Sequence, residues 1–223
     1  MGLKIPLSIV GCGPGAREFL TREAERVVSE AEFLAGPERL IRLFADSSAR
    51  KLPWSGKTDD LIKALCAPMG QGVRVVALVS GDVGAFSLAS RLVEAFGKEN
   101  CRLHPGISSF QLAFARLCVP WENARLVHAH GGDPGVDPAG LSRERQVAVA
   151  LDAGKGWDWF LRAAPELMNT HDLHLCADLS LEDETVVAVA SAADLAAMPP
   201  PRLAVAVFLR RGRLPKNRPP PFA

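Results

Sequence analysis

Three glycine-bearing turns hold the residues best placed for chemistry. The first is Gly11-Cys-Gly-Pro-Gly15, the second Ser80-Gly-Asp-Val-Gly84 and the third Pro105-Gly-Ile-Ser-Ser109. Each offers main-chain N–H and C=O groups with few side chains in the way, so a ligand can approach the backbone closely. Asp82 adds an acceptor for an amine or hydroxyl, although helix capping is an equally ordinary use of it. Ser108 and Ser109 supply hydroxyls at a helix start, where capping is their commonest role. The spacing of the first turn is G-x-G-x-G, and Pro14 removes an N–H. Both features depart from the dinucleotide fingerprint. No Gly-Lys-Ser/Thr phosphate loop and no Gly-x-Ser-x-Gly elbow occurs. A tight turn without a ligand remains open for each of the three motifs.

The elements that must carry these turns alternate between strand and helix. Residues 5–10 form a short apolar run that ends at the first glycine. Residues 73–80 (VRVVALVS) are β-branched and apolar almost throughout, as in a strand covered on both faces. Residues 101–104 make a third short strand. Helix patterns follow at 20–31, 85–96 and 109–117, and further helices are expected at 37–44 and at 59–67, the latter capped by Thr58 or Asp59. Each motif therefore sits at the carboxyl end of a strand and before a helix, the edge where α/β sheets bind ligands. Val119-Pro-Trp-Glu122 marks a boundary. Beyond it, strands at 125–129, 146–151, 173–176, 185–190 and 203–209 succeed one another more often, which predicts a mixed sheet. Domains are drawn at 1–120 and 121–212, with a Pro-rich tail at 213–223 expected to be poorly ordered.

Other residues carry weaker signals. His128 and His130 alternate and face one side of a strand, but no third ligand is in view, so no metal is expected. His171 and His174 read as surface. The five cysteines are scattered without a Cys-x-x-Cys pair, as expected of reduced thiols. With 26 basic and 25 acidic residues, the chain lacks the excess of a nucleic-acid binder. It has neither a membrane-length apolar run nor the layout of a signal peptide, so a cytoplasmic protein bound neither to membrane nor to nucleic acid is expected.

The order of the motifs is more specific than any one of them. Gly-Cys-Gly-Pro-Gly, Val-Ser-Gly-Asp and Pro-Gly-Ile-Ser-Ser in this sequence resemble the tetrapyrrole methylase family. Pro105-Gly-Ile-Ser-Ser-Phe-Gln-Leu-Ala-Phe-Ala-Arg-Leu117, Pro120-Trp121 and His130-Gly131 resemble its branch that methylates C-5 of precorrins on the route to cobalamin. The resemblance implies an α/β protein of two domains, each a mixed sheet with flanking helices, with a cleft between them, usually as a homodimer. It implies S-adenosylmethionine as cofactor, S-adenosylhomocysteine as product and a precorrin as substrate. Carried over by position, Ser80, Gly81, Asp82, Ser108 and Ser109 meet the cofactor, Gly13 and Pro14 line the cleft, and Leu151 and Asp152 serve from the second domain. Val83 stands where the family often has proline, and Ala177-Asp-Leu-Ser-Leu-Glu-Asp-Glu-Thr185 departs from the family's later motif.

Because the chain stops before the C-15 methylating and decarboxylating domain of the fused enzyme, it resembles either the stand-alone C-5 enzyme, with a separate C-15 partner expected, or a fragment of the fused one. For substrate carboxylates, Arg17, Arg39, Lys57, Arg91 and Arg116 are available, and Trp54 and Trp121 are candidates to stack on a macrocycle. Direct methyl transfer needs alignment rather than a covalent intermediate, in keeping with the lack of a nucleophile constellation. The alternatives are a methylase of this fold with another tetrapyrrole or a protein substrate, a nicotinamide oxidoreductase and a non-catalytic binding module.

Overall fold

The computed structural model describes residues 5–212. The tail at 213–223 lies outside them, and with it the expectation about its order. The chain divides into two units, Met1–Ser109 and Phe110–Ala223.

In the first unit, five strands line up in the order β3-β2-β4-β1-β5. They are β1 (Leu7–Gly11), β2 (Phe33–Gly36), β3 (Arg50–Pro53), β4 (Val75–Val79) and β5 (Cys101–His104). Every pair between these strands is parallel. Among the described residues of this unit, antiparallel pairing is confined to an isolated bridge between Gly13 and Gly81. All five residues of β4 are buried, as its two-sided apolar sequence requires.

Helices cover both faces. α1 (Arg22–Ser29) and α2 (Glu38–Arg42) pack Ala24, Val27, Val28, Leu40 and Ile41 against Val10, Leu34, Val76 and Leu78. α3 (Thr58–Gly70) and α4 (Ala89–Phe96) pack Leu61, Leu65, Ala89 and Leu92 against the alternate residues Ile9, Ala35, Ala77 and Val79. Thr21 caps α1 by accepting from the Ala24 N–H at 3.0 Å. The cap expected from Thr58 or Asp59 is absent. The N-cap of α3 is Lys57, whose side chain makes no capping bond, so the acidic side chains Asp59 and Asp60 complement the positive helix end instead. α4 begins at Ala89 rather than 85, because Asp82 and its neighbours turn and Phe86 takes a positive φ of 51°.

In the second unit the order is β6-β7-β10-β8-β9. β6 (Ala124–His128) runs parallel to β7 (Gln146–Asp152). β10 (Leu203–Arg210) lies antiparallel between β7 and β8 (His171–Ala177), and β9 (Thr185–Val189) pairs antiparallel with β8. This sheet is mixed, as expected. α7 (Lys155–Met168) covers one face with Trp157, Trp159, Phe160, Ala164 and Leu167, joined by α8 (Ala192–Ala197) through Leu195. Between α5 (Ser109–Arg116) and α7, residues Pro138–Leu141 make a single turn, α6.

His171 corrects the sequence reading. It is fully buried in β8. Its Nδ1 lies 2.8 Å from Thr170 Oγ1 and its Nε2 3.0 Å from the Glu144 carbonyl. Its edge meets the Phe208 ring. Both ring nitrogens are satisfied within the fold, which is what lets a histidine be buried. No helix among the described residues is long and apolar enough to cross a membrane.

Candidate functional site

Strand order explains why three of the motifs meet. β4, β1 and β5 are neighbours, and their parallel register brings residues 11–15, 80–84 and 105–109 to one sheet edge. The chain leaves β1 toward α1 on one face and leaves β4 toward α4 on the other. Adjacent strands whose connections part to opposite faces open a crevice at their carboxyl ends.

The turns then close on one another through their backbones. Gly13 donates to the Gly81 carbonyl at 3.2 Å, and Gly81 donates back at 2.8 Å. Both glycines hold positive φ, 70° and 64°, a region that side-chain-bearing residues disfavour. Gly11 and Gly106 pack so tightly that a Cβ on Gly106 would lie 2.4 Å from the Gly81 carbonyl oxygen and 2.5 Å from that of Gly11. Asp82 ties the second turn to the third. Its Oδ1 accepts from the Gly84 N–H at 2.8 Å and its Oδ2 from the Gly106 N–H at 3.1 Å. This carboxylate holds the turns in place and does not cap α4, whose N-cap is Leu88.

Ser80, exposed, receives a hydrogen bond from Arg39 of α2. Ser108 is buried, and Ser109 opens α5. Pro14 is half-buried beside Gly13. Cys12, between the two glycines, is an inert thiol: burial pushes it up to about 12, against the lowering influence of Arg39. The expected residues Gly13, Pro14, Ser80, Gly81, Asp82, Ser108 and Ser109 thus share one edge of the first unit.

The second unit repeats the device. Asp152, at the end of β7, accepts from Gly131 N–H at 2.6 Å and from Gly154 and Gly156 N–H, both at 3.1 Å. Burial alone raises its pKa. The three donors and the nearby His130 outweigh that and hold the carboxyl below its ordinary 3.8. Leu151 is buried in the core of the unit, which leaves only its main chain for contact. The rings of His128 and His130 stack at 5.9 Å, and no group of three metal-ligating side chains occurs among the described residues. Burial, followed by the neighbouring His130, lowers the pKa of His128.

A pH prediction follows from Asp152. A depressed folded pKa contributes stability that is fully present above the unfolded value and is lost as pH falls through the folded one. Asp152→Asn is therefore expected to flatten the acid limb of stability below about pH 4. Denaturant midpoints taken from about pH 5 to about pH 2 test this, and superimposable acid slopes would contradict it.

Most of the cations considered for substrate carboxylates have partners. Arg17 lies 3.6 Å from Asp46, Arg91 3.5 Å from Asp59, and Arg116 forks onto Glu184 with one arm at 3.2 Å. Trp54 donates its indole N–H to the Lys57 carbonyl at 3.1 Å, whereas Trp121 is exposed.

A family model described as Tetrapyrrole (Corrin/Porphyrin) Methylases matches residues 6–196. The chain belongs to the tetrapyrrole methylases. It is a methyltransferase, which displaces the nicotinamide reading, and the methyl donor of its family is S-adenosylmethionine. A cobalt-precorrin-7 C(5)-methyltransferase of Salmonella typhimurium is 28% identical over 181 residues, covering 81% of this chain and 88% of that protein. Among solved structures, a cobalamin-biosynthesis precorrin-6Y methylase from Archaeoglobus fulgidus superposes with a TM-score of 0.70 at 22% identity, covering 93% and 99% of the two chains. A uroporphyrin-III C-methyltransferase from Thermus thermophilus, solved with S-adenosylhomocysteine, has a TM-score of 0.70 at 20% identity, covering 91% of each chain. At these identities the structural likeness to this tetrapyrrole methylase is one of fold.

Proposed function

We propose that this tetrapyrrole methylase transfers the methyl group of S-adenosylmethionine to C-5 of a precorrin, with or without cobalt, in cobalamin biosynthesis. The observation that carries the cofactor part is the convergence of three glycine turns whose close packing excludes a Cβ. Such a surface presents peptide groups to a ligand and suits a donor bound mainly through main-chain atoms. The C-5 assignment is supported by the named relative of Salmonella typhimurium.

S-adenosylmethionine supplies an already activated methyl group on a sulfonium. The protein's part is to orient and to exclude water. Asp82 fixes the second and third turns relative to each other, so the wall they form does not need to reorganise on binding. Gly13 and Gly81 keep that wall free of side chains. Holding two reactants in line is worth roughly 7–11 kcal/mol in favourable cases, and a rigid main-chain wall is suited to that task. Arg39, by donating to Ser80, holds that hydroxyl at the rim of the crevice.

Asp82→Ala leaves two main-chain donors without their partner, at about 1–3 kcal/mol for each one that is buried. It is expected to weaken S-adenosylhomocysteine binding by more than about tenfold, ~1.4 kcal/mol, as read by calorimetry on the folded variant. Unchanged affinity would remove Asp82 from the site. The function itself is tested by incubating the protein with isotopically methyl-labelled donor and a panel of precorrins, and locating the label by NMR. Label at C-5 is expected. Label at another carbon, or transfer to a protein instead, would replace the assignment with one of the other methylase readings.

A further inference from the structure

Phe86 is the most exposed of the large apolar side chains among the described residues, at 52%. It is also the bulkiest of the non-glycine residues there that hold a positive φ; the others are Cys118, Asp178 and Ser180. Physical chemistry disfavours both states. A left-handed backbone crowds the Cβ of a bulky residue, and an aromatic ring left in water forgoes a large burial gain.

A less strained conformation is open to the same sequence. A helix begun at 85 would set Phe86 three and seven residues before Ala89 and Val93, on the face that packs against the sheet. The chain does otherwise. The Gly84 N–H donates to Asp82 Oδ1 at 2.8 Å and the Ala85 N–H to the Asp82 carbonyl at 3.3 Å. On the far side, the Ala89 N–H donates to Ser87 Oγ at 3.1 Å, and the Ser87 carbonyl accepts from Ser90 Oγ at 3.2 Å. Val83 and Leu88 pack against the core under α3 and α4. Phe86 thus stands between two hydrogen-bonded turns, and its strained backbone is fixed from both ends. Outliers over-determined in this way cluster where the strain serves a function. The loop concerned begins with Ser80, Gly81 and Asp82 at the carboxyl end of β4. Four residues of chain span at most about 14 Å, so the ring stays close to the donor wall.

We propose that Phe86 is a stacking platform for the conjugated face of the tetrapyrrole, and that it positions the methyl acceptor before the turns that bind the donor. This rests on the reading of that edge as the donor site. A tetrapyrrole presents a broad apolar π face and a rim of carboxylates. The rim calls for cations, and the face calls for an aromatic ring in offset contact. A ring carried on a fixed backbone has less freedom to lose when the substrate covers it. Phenylalanine offers no hydrogen-bonding group, so it reads the plane of the macrocycle and not its rim. It is a positioning residue and takes no part in bond making.

The test is titration of the whole protein with uroporphyrin III, a stable polycarboxylate porphyrin, followed by its absorbance, beside calorimetry with S-adenosylhomocysteine. Phe86→Ala is expected to weaken porphyrin binding at least about tenfold. Phe86→Leu keeps apolar bulk but not the plane, and is expected to weaken it at least about threefold. Phe86→Trp restores the plane and is expected to bind within about twofold of the parent. All three variants should bind S-adenosylhomocysteine as the parent does, which also shows them folded. Val187→Ala, on the exposed edge strand β9, controls for porphyrin adhering to any apolar surface and is expected to change nothing. The proposal is overturned by a parent that binds no porphyrin, or by affinity that survives Phe86→Ala and Phe86→Leu unchanged. It is overturned equally by a Trp variant no better than the Leu variant, by an equal loss in Val187→Ala, or by a matching loss of S-adenosylhomocysteine affinity, which would set the ring against the donor. The C-5 assignment fails separately: methyl label on another ring carbon would refute it and leave the stacking in place.

Discussion

Gly106→Ala is expected to destabilise the first unit by about 3 kcal/mol or more, at the upper end of the overpacking range. The new Cβ would lie 2.4 Å from the Gly81 carbonyl oxygen, 2.5 Å from the Gly11 carbonyl oxygen and 2.6 Å from the Gly11 carbonyl carbon. All three are main-chain atoms of neighbouring turns, so no side chain can swing aside to relieve the clash. Relief requires the turns to part, which strains the Gly13–Gly81 pair and the Asp82 bond to the Gly106 N–H. Thermal denaturation should show a midpoint lower by about 6–12 °C for that cost. Donor binding should fall as well, because the wall itself is displaced. Gly70→Ala is the control. A Cβ there meets nothing within 4 Å, at the last residue of α3, and the change should be neutral or stabilising by at most about 1 kcal/mol. Equal midpoints for Gly106→Ala and Gly70→Ala would show that the turns are not packed as described.

Gly156→Ala is expected to have an effect of similar size in the second unit, with a different signature. Its Cβ would lie 2.1 Å from the Ala129 carbonyl oxygen and 2.8 Å from Asp152 Oδ1. Gly156 is the second residue of α7, so its φ is helical and alanine would ordinarily be the better residue there. Propensity favours the change by about 1 kcal/mol at most, and a backbone clash this close opposes it from beyond the upper end of the overpacking range, about 4 kcal/mol or more. Packing wins. Because the clash also presses on Asp152, the variant should share the flattened acid limb expected of Asp152→Asn. Guanidinium unfolding at neutral and at acid pH reads both effects, and a variant more stable than the parent would refute the close approach of α7 to Ala129.

Where local composition decides structure, the sequence was readable. Residues 75–79 announce a two-faced strand because every side chain is apolar, and the three glycine turns announce themselves because little else explains glycine at strand ends. What was unreadable depends on partners far along the chain. β3 is an edge strand of sequence RKLP, with no residue buried and no apolar period to betray it. His171 looks like a surface histidine in a polar stretch, yet Glu144, 27 residues earlier, supplies the carbonyl that lets it be buried. The site shows the same division. Asp82 was legible as a residue at a strand end, but its hold on Gly106 spans 24 residues and appears only once the sheet is assembled.

The position of β1 also bears on how the protein is born. Its two neighbours are β4 and β5, and its first residue, Leu7, pairs with Cys101. A ribosome adding about 5–20 residues per second needs roughly 5–20 s to bridge that span. Until β4 is made, Ile9 and Val10 have no neighbouring strand, and Leu7 waits longer, for Cys101 of β5. A nascent chain with such a delay is a natural client for a holdase chaperone, and slowing translation should prolong that dependence.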